Sequence, residues 1–201
     1  ETDPKQLQRS LAQLVRSASR TAHLVSQLLS LARTENLRDA AAMEPLDLCP
    51  LVRAVAAEWV DQALERRIDF GVENDAGTAP ISGHPILLRE MINNLIDNAL
   101  RYTPERGMVT VRTFGTPEEV VLEVEDDGSG VPVAEREMIF ERFYRMPGAP
   151  GDGSGLGLPI VREIAAQHGA RIEIDDGIPW PAARGGGAGT RVSVRFPRLA
   201  D

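Results

Sequence analysis

Two neighbouring segments of the chain, 107–114 and 119–126, alternate apolar and polar residues. This alternation predicts a pair of antiparallel strands, each with one buried face. The remaining pattern predicts strands at 46–48, 67–73, 170–175 and 190–196, helices at 50–66, 85–102 and 156–168, and a short helix near 134–141. Helices interleaved with strands in this way predict an α/β fold, a two-layer sandwich with the helices on one face of the sheet.

A separate helix is predicted at the start of the chain. Over residues 7–34, apolar side chains recur at three- and four-residue steps, and Asp3-Pro4 precedes them as a helix start. One helix cannot bury its own apolar stripe, so this stripe packs either on a partner helix or back on its own domain. The linker that follows divides the chain into 1–40 and 41–201.

Composition excludes several classes of function. The formal net charge is -8 and the basic residues are scattered, which argues against a nucleic-acid surface. The single cysteine, Cys49, cannot form an internal disulfide or a thiolate zinc cluster. No apolar run reaches the roughly 18 residues that a membrane span needs. The first residue is Glu1 and no signal peptide is found, so we interpret the sequence as a piece of a longer protein.

The helix predicted at 85–102 carries the first group of candidate site residues. Glu90, Asn94, Asn98 and Arg101 share a face beside its apolar stripe. Asparagine is a poor residue for a helix interior, so two of them one turn apart suggest a special role. An amide oxygen suits Mg²⁺, and an arginine can contact a phosphate. The alternative is that the amides are solvated or bond to a neighbouring loop.

The second group follows the strand predicted at 119–126. Asp126 at its end can accept a hydrogen bond from an exocyclic amine. Gly128 and Gly130 at alternate positions let the backbone turn and let a flat ligand approach closely. The alternative is an ordinary turn rich in Asp and Gly.

The third group is the glycine-rich run from Gly151 to Leu158, which leads into a helix. Backbone N–H groups at a helix N-terminus form an anion site. The run is neither a P-loop nor a dinucleotide fingerprint, because no Lys-Ser/Thr follows it and no strand precedes it. The alternative is a flexible surface loop. Before this run, Phe140 and Phe143 are expected to anchor a mobile segment, and Arg142 and Arg145 could reach a triphosphate.

Taken in their order along the chain, these three groups and the segment with Phe140 and Phe143 resemble sequence blocks of one protein family. That family is the histidine-kinase branch of the ATPase superfamily that also contains gyrase, Hsp90 and MutL. Residues 94–104 look like its N box, 126–130 its G1 box, 140–143 its F box and 153–158 its G2 box. The resemblance covers about 45–197. It implies the Bergerat-type ATP-binding fold, preceded by a long helix that looks like the second dimerisation helix of these kinases.

The resemblance implies a role for each matching position. Asn98 would be the Mg²⁺ ligand, with Asn94 facing the metal or the phosphates; Arg101 would contact phosphate and Tyr102 would lie against the adenine. Asp126 would accept from the adenine amino group, with Gly128 and Gly130 beside it. Gly153, Gly155 and Gly157 would form the turn on the phosphate side, and Leu156 and Leu158 would anchor the lid. Thr190 would lie near the base, and Arg142 near the γ-phosphate.

The implied activity is transfer of the γ-phosphate of MgATP to a histidine on the dimerisation domain of a two-component sensor kinase, for relay to a response-regulator aspartate. The parent would be a homodimer at the cytoplasmic face of the bacterial inner membrane, with no nucleic-acid partner. The acceptor-histidine pattern is absent, so this piece should not autophosphorylate. His23, His84 and His168 are interpreted as structural, His168 as a partly positive imidazole at a helix end.

Two other functions remain open at this stage. One is ATP hydrolysis, as in the gyrase and MutL branch, which is disfavoured because Asn94 stands where that branch places a water-activating Glu. The other is a nucleotide-gated binding module. The segment from Asp176 to Gly189 is longer than a plain hairpin and receives no function.

Overall fold

The computed structural model describes residues 43–75, 77–148, 153–179 and 187–199, together with Thr21 and Val25. Thr21 and Val25 are helical. The rest of the helix predicted over 7–34, and the domain boundary at 40, lie outside the described residues. Among the described residues, no helix has both the length and the apolar character needed to cross a membrane.

The described strands form two sheets. They are β1 Glu44–Asp47, β2 Asp69–Asn74, β3 Pro80–Gly83, β4 Met108–Gly115, β5 Glu119–Asp126, β6 Arg171–Pro179 and β7 Ala188–Pro197. Five of them form a sheet in the order β2-β4-β5-β7-β6, and β1 pairs with β3. Strands β2 and β4 are parallel, whereas the other pairs are antiparallel. The predicted hairpin of 107–114 and 119–126 is therefore confirmed as β4 and β5.

The helices pack on one face of the five-stranded sheet. They are α1 Leu48–Ala57, α2 Val60–Glu65, α3 Pro85–Tyr102 and α4 Gly157–Gln167. Their buried side chains meet those of the sheet in one core, which includes Leu48, Ile92, Leu122, Ile160 and Phe196. The two-layer α/β sandwich predicted from the sequence is confirmed.

The single helix predicted over 50–66 is wrong, since the structure has two helices there. The first begins earlier than expected because Asp47 caps it: Oδ1 accepts from the N–H of Cys49 at 3.0 Å and of Ala79 at 3.0 Å. The residue therefore ends β1 and starts α1. The chain turns at Glu58 and Trp59, where the indole Nε1 of Trp59 donates to Asn93 Oδ1 at 2.9 Å. This contact holds the turn against α3.

Two other details differ from the sequence prediction. The short helix expected near 134–141 is a pair of 3₁₀ turns, Val133–Glu135 and Met138–Phe140. Strand β3 was not predicted, because only four residues form it and Pro80 opens it. It pairs with β1, which is equally short, and it ends at Gly83, two residues before α3 begins.

The bounds of α3 and α4 follow from their caps. His84 Nδ1 accepts from the N–H of Leu87 at 3.4 Å and Pro85 begins α3, so the prediction of 85–102 is confirmed. Past the end of α4, Gly169 adopts φ +61. His168 lies between the two helices: its Nε2 accepts from the His84 N–H at 3.0 Å, and Nδ1 contacts the Ile164 carbonyl at 2.7 Å.

The structural interpretation of His168 is confirmed, but the expectation of a partly positive imidazole is wrong. Burial lowers the pKa of His168, and the nearby His84 lowers it further, although the bond to the Ile164 carbonyl opposes the shift. A neutral ring with its proton on Nδ1 satisfies both contacts, since Nε2 must accept. The histidine thus joins the start of α3 to the end of α4.

Candidate functional site

A cleft opens between α3, the end of β5 and the glycine-rich turn before α4. Its empty volume, counted out to its open mouth, is about 950 Å³. Eleven of the fourteen predicted site residues line it: Asn94, Asn98, Arg101, Tyr102, Asp126, Gly130, Gly153, Gly155, Gly157, Leu158 and Thr190. The fold therefore brings the three predicted groups together at one concave surface, which is where ligand sites are usually found.

The other three predicted residues do not line the cleft. Gly128 lies behind Asp126, where a Cβ would approach the Tyr102 carbonyl oxygen at 2.6 Å. Leu156 is fully buried in the core. Arg142 is exposed and lies outside the cleft wall, whereas Arg145 lines it. The structure thus does not place Arg142 where a contact with the γ-phosphate was expected.

Asp126 is the buried carboxylate of the cleft, with 5% of its surface exposed. Its Oδ1 accepts from the N–H of Gly128 at 2.8 Å and of Thr190 at 3.0 Å. Two bonds to one oxygen fix the carboxylate and leave Oδ2 to accept from a ligand. Burial raises the pKa of Asp126 to about 6, although the two N–H bonds oppose the shift. At neutral pH the group is mostly ionised and acts as an acceptor.

The hydrogen bonds of α3 orient its amide face. Asn94 Nδ2 donates to the Glu90 carbonyl at 2.9 Å and to Glu90 Oε1 at 3.3 Å. With both acceptors on one side, Oδ1 of Asn94 is directed away from Glu90. One turn further along, Arg101 Nη2 pairs with Asp97 Oδ2 at 2.9 Å. The helix therefore presents amide oxygens, a carboxylate and a guanidinium to the cleft.

The glycine-rich turn packs against the segment that carries the F-box pattern. Gly155 adopts φ +73, and a Cβ there would lie 2.7 Å from the backbone of Phe143 and of Tyr144. The N–H of Phe143 donates to the Gly155 carbonyl at 2.9 Å. Helix α4 follows without a side-chain cap among the described residues. Ser154 Oγ accepts from the Leu156 N–H at 3.1 Å just before the helix. The N–H groups of Gly157 and Leu158, in the first turn, are of the kind that bind an anion at a helix N-terminus.

Beside Asp126 and Gly130, the start of β7 packs closely against the turn after β5. A Cβ on Gly130, whose φ is +69, would lie 2.3 Å from the Ala188 carbonyl oxygen, and one on Gly189 would lie 1.8 Å from the Asp126 carbonyl oxygen. Only glycine allows backbones to approach this closely. This packing places the Thr190 N–H on Asp126, so Ala188 and Gly189, at the end of the segment left without a function, support the site residue Asp126.

Comparison with known proteins identifies the family. Residues 83–200 match the family model described as "Histidine kinase-, DNA gyrase B-, and HSP90-like ATPase". The chain belongs to this ATPase family. It is similar to the sensor protein kinase PmrB of Pseudomonas aeruginosa, with 37% identity over 98% of the chain and 39% of the relative. It also resembles the sensor protein QseC of Escherichia coli strain K12, with 35% identity over 86% of the chain and 38% of the relative. The chain thus spans about two fifths of these relatives.

Solved structures of histidine kinases share the fold. The mycobacterial sensor histidine kinase MprB is 29% identical, with a TM-score of 0.65, and the match covers 79% of this chain and 99% of that one. Full-length ShkA in complex with AMPPNP is 26% identical, with a TM-score of 0.74, over 100% of this chain and 41% of that one. The ATPase fold of this chain is therefore that of histidine-kinase catalytic domains.

The cleft of this ATPase fits Mg²⁺ bound together with phosphates. Among the described residues, no cluster of three or more His, Cys, Asp or Glu side chains could hold a metal by itself. The cleft instead offers the hard oxygen donors of Asn94, Asp97 and Asn98. Mg²⁺ keeps several waters and is usually bound by one or two side chains plus substrate phosphates, so this donor set suits it.

Sequence reasoning missed several cleft residues. Asp97 lines the cleft beside the predicted amides, and its i,i+4 spacing to Arg101 was a signal that could have identified it. Tyr144 also lines the cleft, and its hydroxyl donates to Glu135. No sequence pattern marked Tyr144, because the turn that brings it to the wall depends on packing against Gly155.

Proposed function

We propose that this chain is the ATP-binding catalytic region of a sensor histidine kinase, which binds MgATP in the cleft and transfers its γ-phosphate to a histidine on a dimerisation region. One observation carries the proposal: the buried carboxylate of Asp126 faces the same cleft as the amides of α3 and the N-terminus of α4. Base recognition and phosphate recognition are thereby available at opposite ends of one site. Relatives named as sensor kinases support it.

Each side chain would have a defined task. Oδ2 of Asp126 would accept from the adenine amino group, with Thr190 beside the base and Tyr102 against its face. The glycine turn of Gly153, Gly155 and Gly157 would hold the phosphates, with Leu158 at its edge. Arg101 and Arg145 would contact phosphate oxygens, while Asn98 and Asn94 would hold Mg²⁺.

The chemistry requires mainly positioning and charge neutralisation. Bound Mg²⁺ would neutralise phosphate oxygens as charge develops on them. A neutral imidazole nitrogen would form a bond to the γ-phosphorus, the bond from that phosphorus to the bridging oxygen would break, and ADP would leave. The proton on the other nitrogen of the attacking imidazole would pass to a base outside the cleft. A response-regulator aspartate would receive the phosphoryl group next.

The acceptor histidine would come from outside the described residues. His84 and His168 each bond to backbone groups, and His168 is buried. The parent would supply the acceptor on a homodimeric helical region, into which the predicted helix at 7–34 would fit.

A hydrolytic function is less well supported. The gyrase and MutL branch activates water with a carboxylate at the position of Asn94. An amide cannot act as a base, and the amide of Asn94 is further fixed by its bonds to Glu90.

The decisive experiment combines binding with phosphotransfer. Calorimetry should show MgADP binding to the chain, and radiolabelled ATP should label a separately purified dimerisation fragment that carries the acceptor histidine. The label should be acid-labile and alkali-stable, as expected for a phosphoramidate. The chain without that fragment should remain unlabelled, and Asn98→Ala should weaken binding only when Mg²⁺ is present. Rapid ADP release without any labelled protein would instead support hydrolysis.

A further inference from the structure

Asp97 is one of the oxygen donors of the cleft, but the proposed function gives it no task of its own. It lies on α3 between Asn94 and Arg101 and adjoins Asn98, and it lines the cleft with all three. Its carboxylate pairs with Arg101 at 2.9 Å, and the two side chains are 19% and 21% exposed. Because the two side chains are mostly buried, salt screens their charges less than those of a surface pair. Each charge therefore interacts strongly with a ligand bound in the cleft.

The described side chains that line the cleft carry little net charge. The charged side chains that line it among the described residues are Arg101, Arg145, Asp97 and Asp126. Two cations and two carboxylates cancel. Asp126 lies at the end of β5, where it accepts from the Thr190 N–H, so Asp97 is the α3 carboxylate among these cleft-lining side chains. Glu90 shares the amide face of α3 but is not part of the cleft lining.

A metal-free nucleotide therefore meets opposition on α3. Its phosphates must approach a carboxylate of the same sign, and they must draw Arg101 away from a partner that it already has. The repulsion between Asp97 and the ligand becomes attraction when a divalent cation accompanies the phosphates, because a bound cation becomes the largest local charge. The carboxylate then faces the metal complex as an opposite charge.

We propose that Asp97 makes this cleft select the Mg²⁺ complex of an adenine nucleotide over the metal-free nucleotide. The inference rests on the proposed function, since it assumes that phosphates lie over α3. Arg101 binds phosphate in either case, but Asp97 lowers the gain from that contact until a cation is present. Asp97 is thus a specificity-determining residue rather than a catalytic one.

The test compares Asp97→Asn with the unmodified chain. The dissociation constant of ADP is measured by calorimetry in excess Mg²⁺ and again in excess EDTA. In the variant, metal-free affinity should rise about three- to tenfold, because the carboxylate is gone and Arg101 is released. Affinity in Mg²⁺ should stay the same or fall. The ratio of the two constants should therefore drop about threefold or more.

Glu58→Gln is the matched control. It removes one negative charge and the partner of another α3 arginine, Arg89, but that pair is exposed and lies outside the cleft. Its ratio of dissociation constants should equal that of the unmodified chain. An unchanged ratio in Asp97→Asn overturns the selectivity role while leaving the proposed function intact. Failure of the unmodified chain to bind ADP even in Mg²⁺ overturns both.

Discussion

At the scale of single residues, Asp126 shows how a ligand site lowers stability. The carboxylate is 5% exposed, and burial raises its pKa to about 6 from the usual 3.8. An ionised group with a raised pKa destabilises the folded state. Below pH 3.8 this cost is absent because the group is protonated in both states. As the pH rises through about 6, the folded state must ionise it and stability is lost.

We expect Asp126→Asn to stabilise the chain and to impair binding. Without nucleotide at pH 7.5, its free energy of unfolding should exceed that of the unmodified chain by about 1–3 kcal/mol. The difference should shrink between pH 6 and pH 4. MgADP affinity should fall at least about tenfold, because Oδ1 is held by two N–H groups and the amide NH₂ would then face the adenine amine. Urea unfolding and calorimetry measure the two effects; unimpaired binding would refute the assignment to adenine.

Gly155 is the second residue whose role is specific. A substitution there combines a positive φ with contact between Cβ and the backbone of Phe143 and Tyr144. Gly148 also has a positive φ, +77, but a Cβ there meets nothing within 4 Å among the described residues. Substitution at Gly148 therefore adds backbone strain alone, whereas substitution at Gly155 adds both backbone strain and a steric clash.

Gly155→Ala should destabilise the chain by about 2–4 kcal/mol and weaken MgADP binding, whereas Gly148→Ala should cost about 1 kcal/mol and leave binding unchanged. The difference arises because the turn at Gly155 and the segment at Phe143 must separate to admit a methyl group. Urea unfolding and calorimetry of both variants provide the comparison. Equal effects in the two variants would show that the packing of this turn does not shape the site.

At the scale of secondary-structure elements, Arg136 joins the turn after β5 to strand β6. Its guanidinium donates to the Val131 carbonyl at 3.2 Å and the Ile174 carbonyl at 3.0 Å, and it pairs with Asp176. Glu135, the preceding residue, accepts from Tyr144 in the cleft wall. Two neighbouring residues thus connect the cleft wall, the turn that follows Asp126 and strand β6 at the edge of the sheet.

Arg136→Met should loosen this connection while keeping the apolar part of the side chain. We expect a loss of about 1–3 kcal/mol in the free energy of unfolding, since two partly buried carbonyls lose their donor, and a several-fold weaker affinity for MgADP. Arg171→Met on β6 itself is the control: the Arg171 side chain is 69% exposed, so its pair with Glu119 should contribute less than about 0.5 kcal/mol. Equal losses of unfolding free energy in the two variants would contradict a structural role of Arg136 in connecting these segments.

At the scale of the whole molecule, the two faces of the sheet are stabilised differently. One face meets the helices in the apolar core, and the other carries crosswise ion pairs. Arg112 on β4 is at their centre, in contact with Glu73 on β2 and with Glu123 and Glu125 on β5. Arg191 and Arg195 continue the pairs to β6. Opposite charges on adjacent strands stabilise a particular register.

Arg112→Met should lower the free energy of unfolding by about 1–3 kcal/mol, because two sheltered glutamates lose their shared cation. The loss should be smaller in 1 M salt than in dilute buffer, since screening weakens the interaction that is removed. Arg89→Met, which breaks one exposed pair, should cost less than about 0.5 kcal/mol. Urea unfolding at two salt concentrations makes the comparison, and a salt-independent loss would argue that Arg112 acts by packing alone.

Local patterns were sufficient for the elements that carry most of the site. The apolar stripe of α3, its Pro85 start and the hairpin of β4 and β5 follow from periodicity and turn residues, and all were predicted within one or two residues. The break at Trp59 was not, because the contact from its indole to Asn93 lies 34 positions away. The proposed roles of the site residues stay predictions until they are tested.

The sequence by itself determined the sandwich and the groups that could meet a nucleotide, because amphipathic periods and glycine-rich turns act over a few residues. Tertiary structure decided which of those groups meet. It placed Arg145 in the cleft and Arg142 outside it, revealed Asp97 beside the amides, and raised the pKa of Asp126. These outcomes depend on burial and on contacts between distant segments, such as the packing of β7 against the turn after β5, and no local pattern records them.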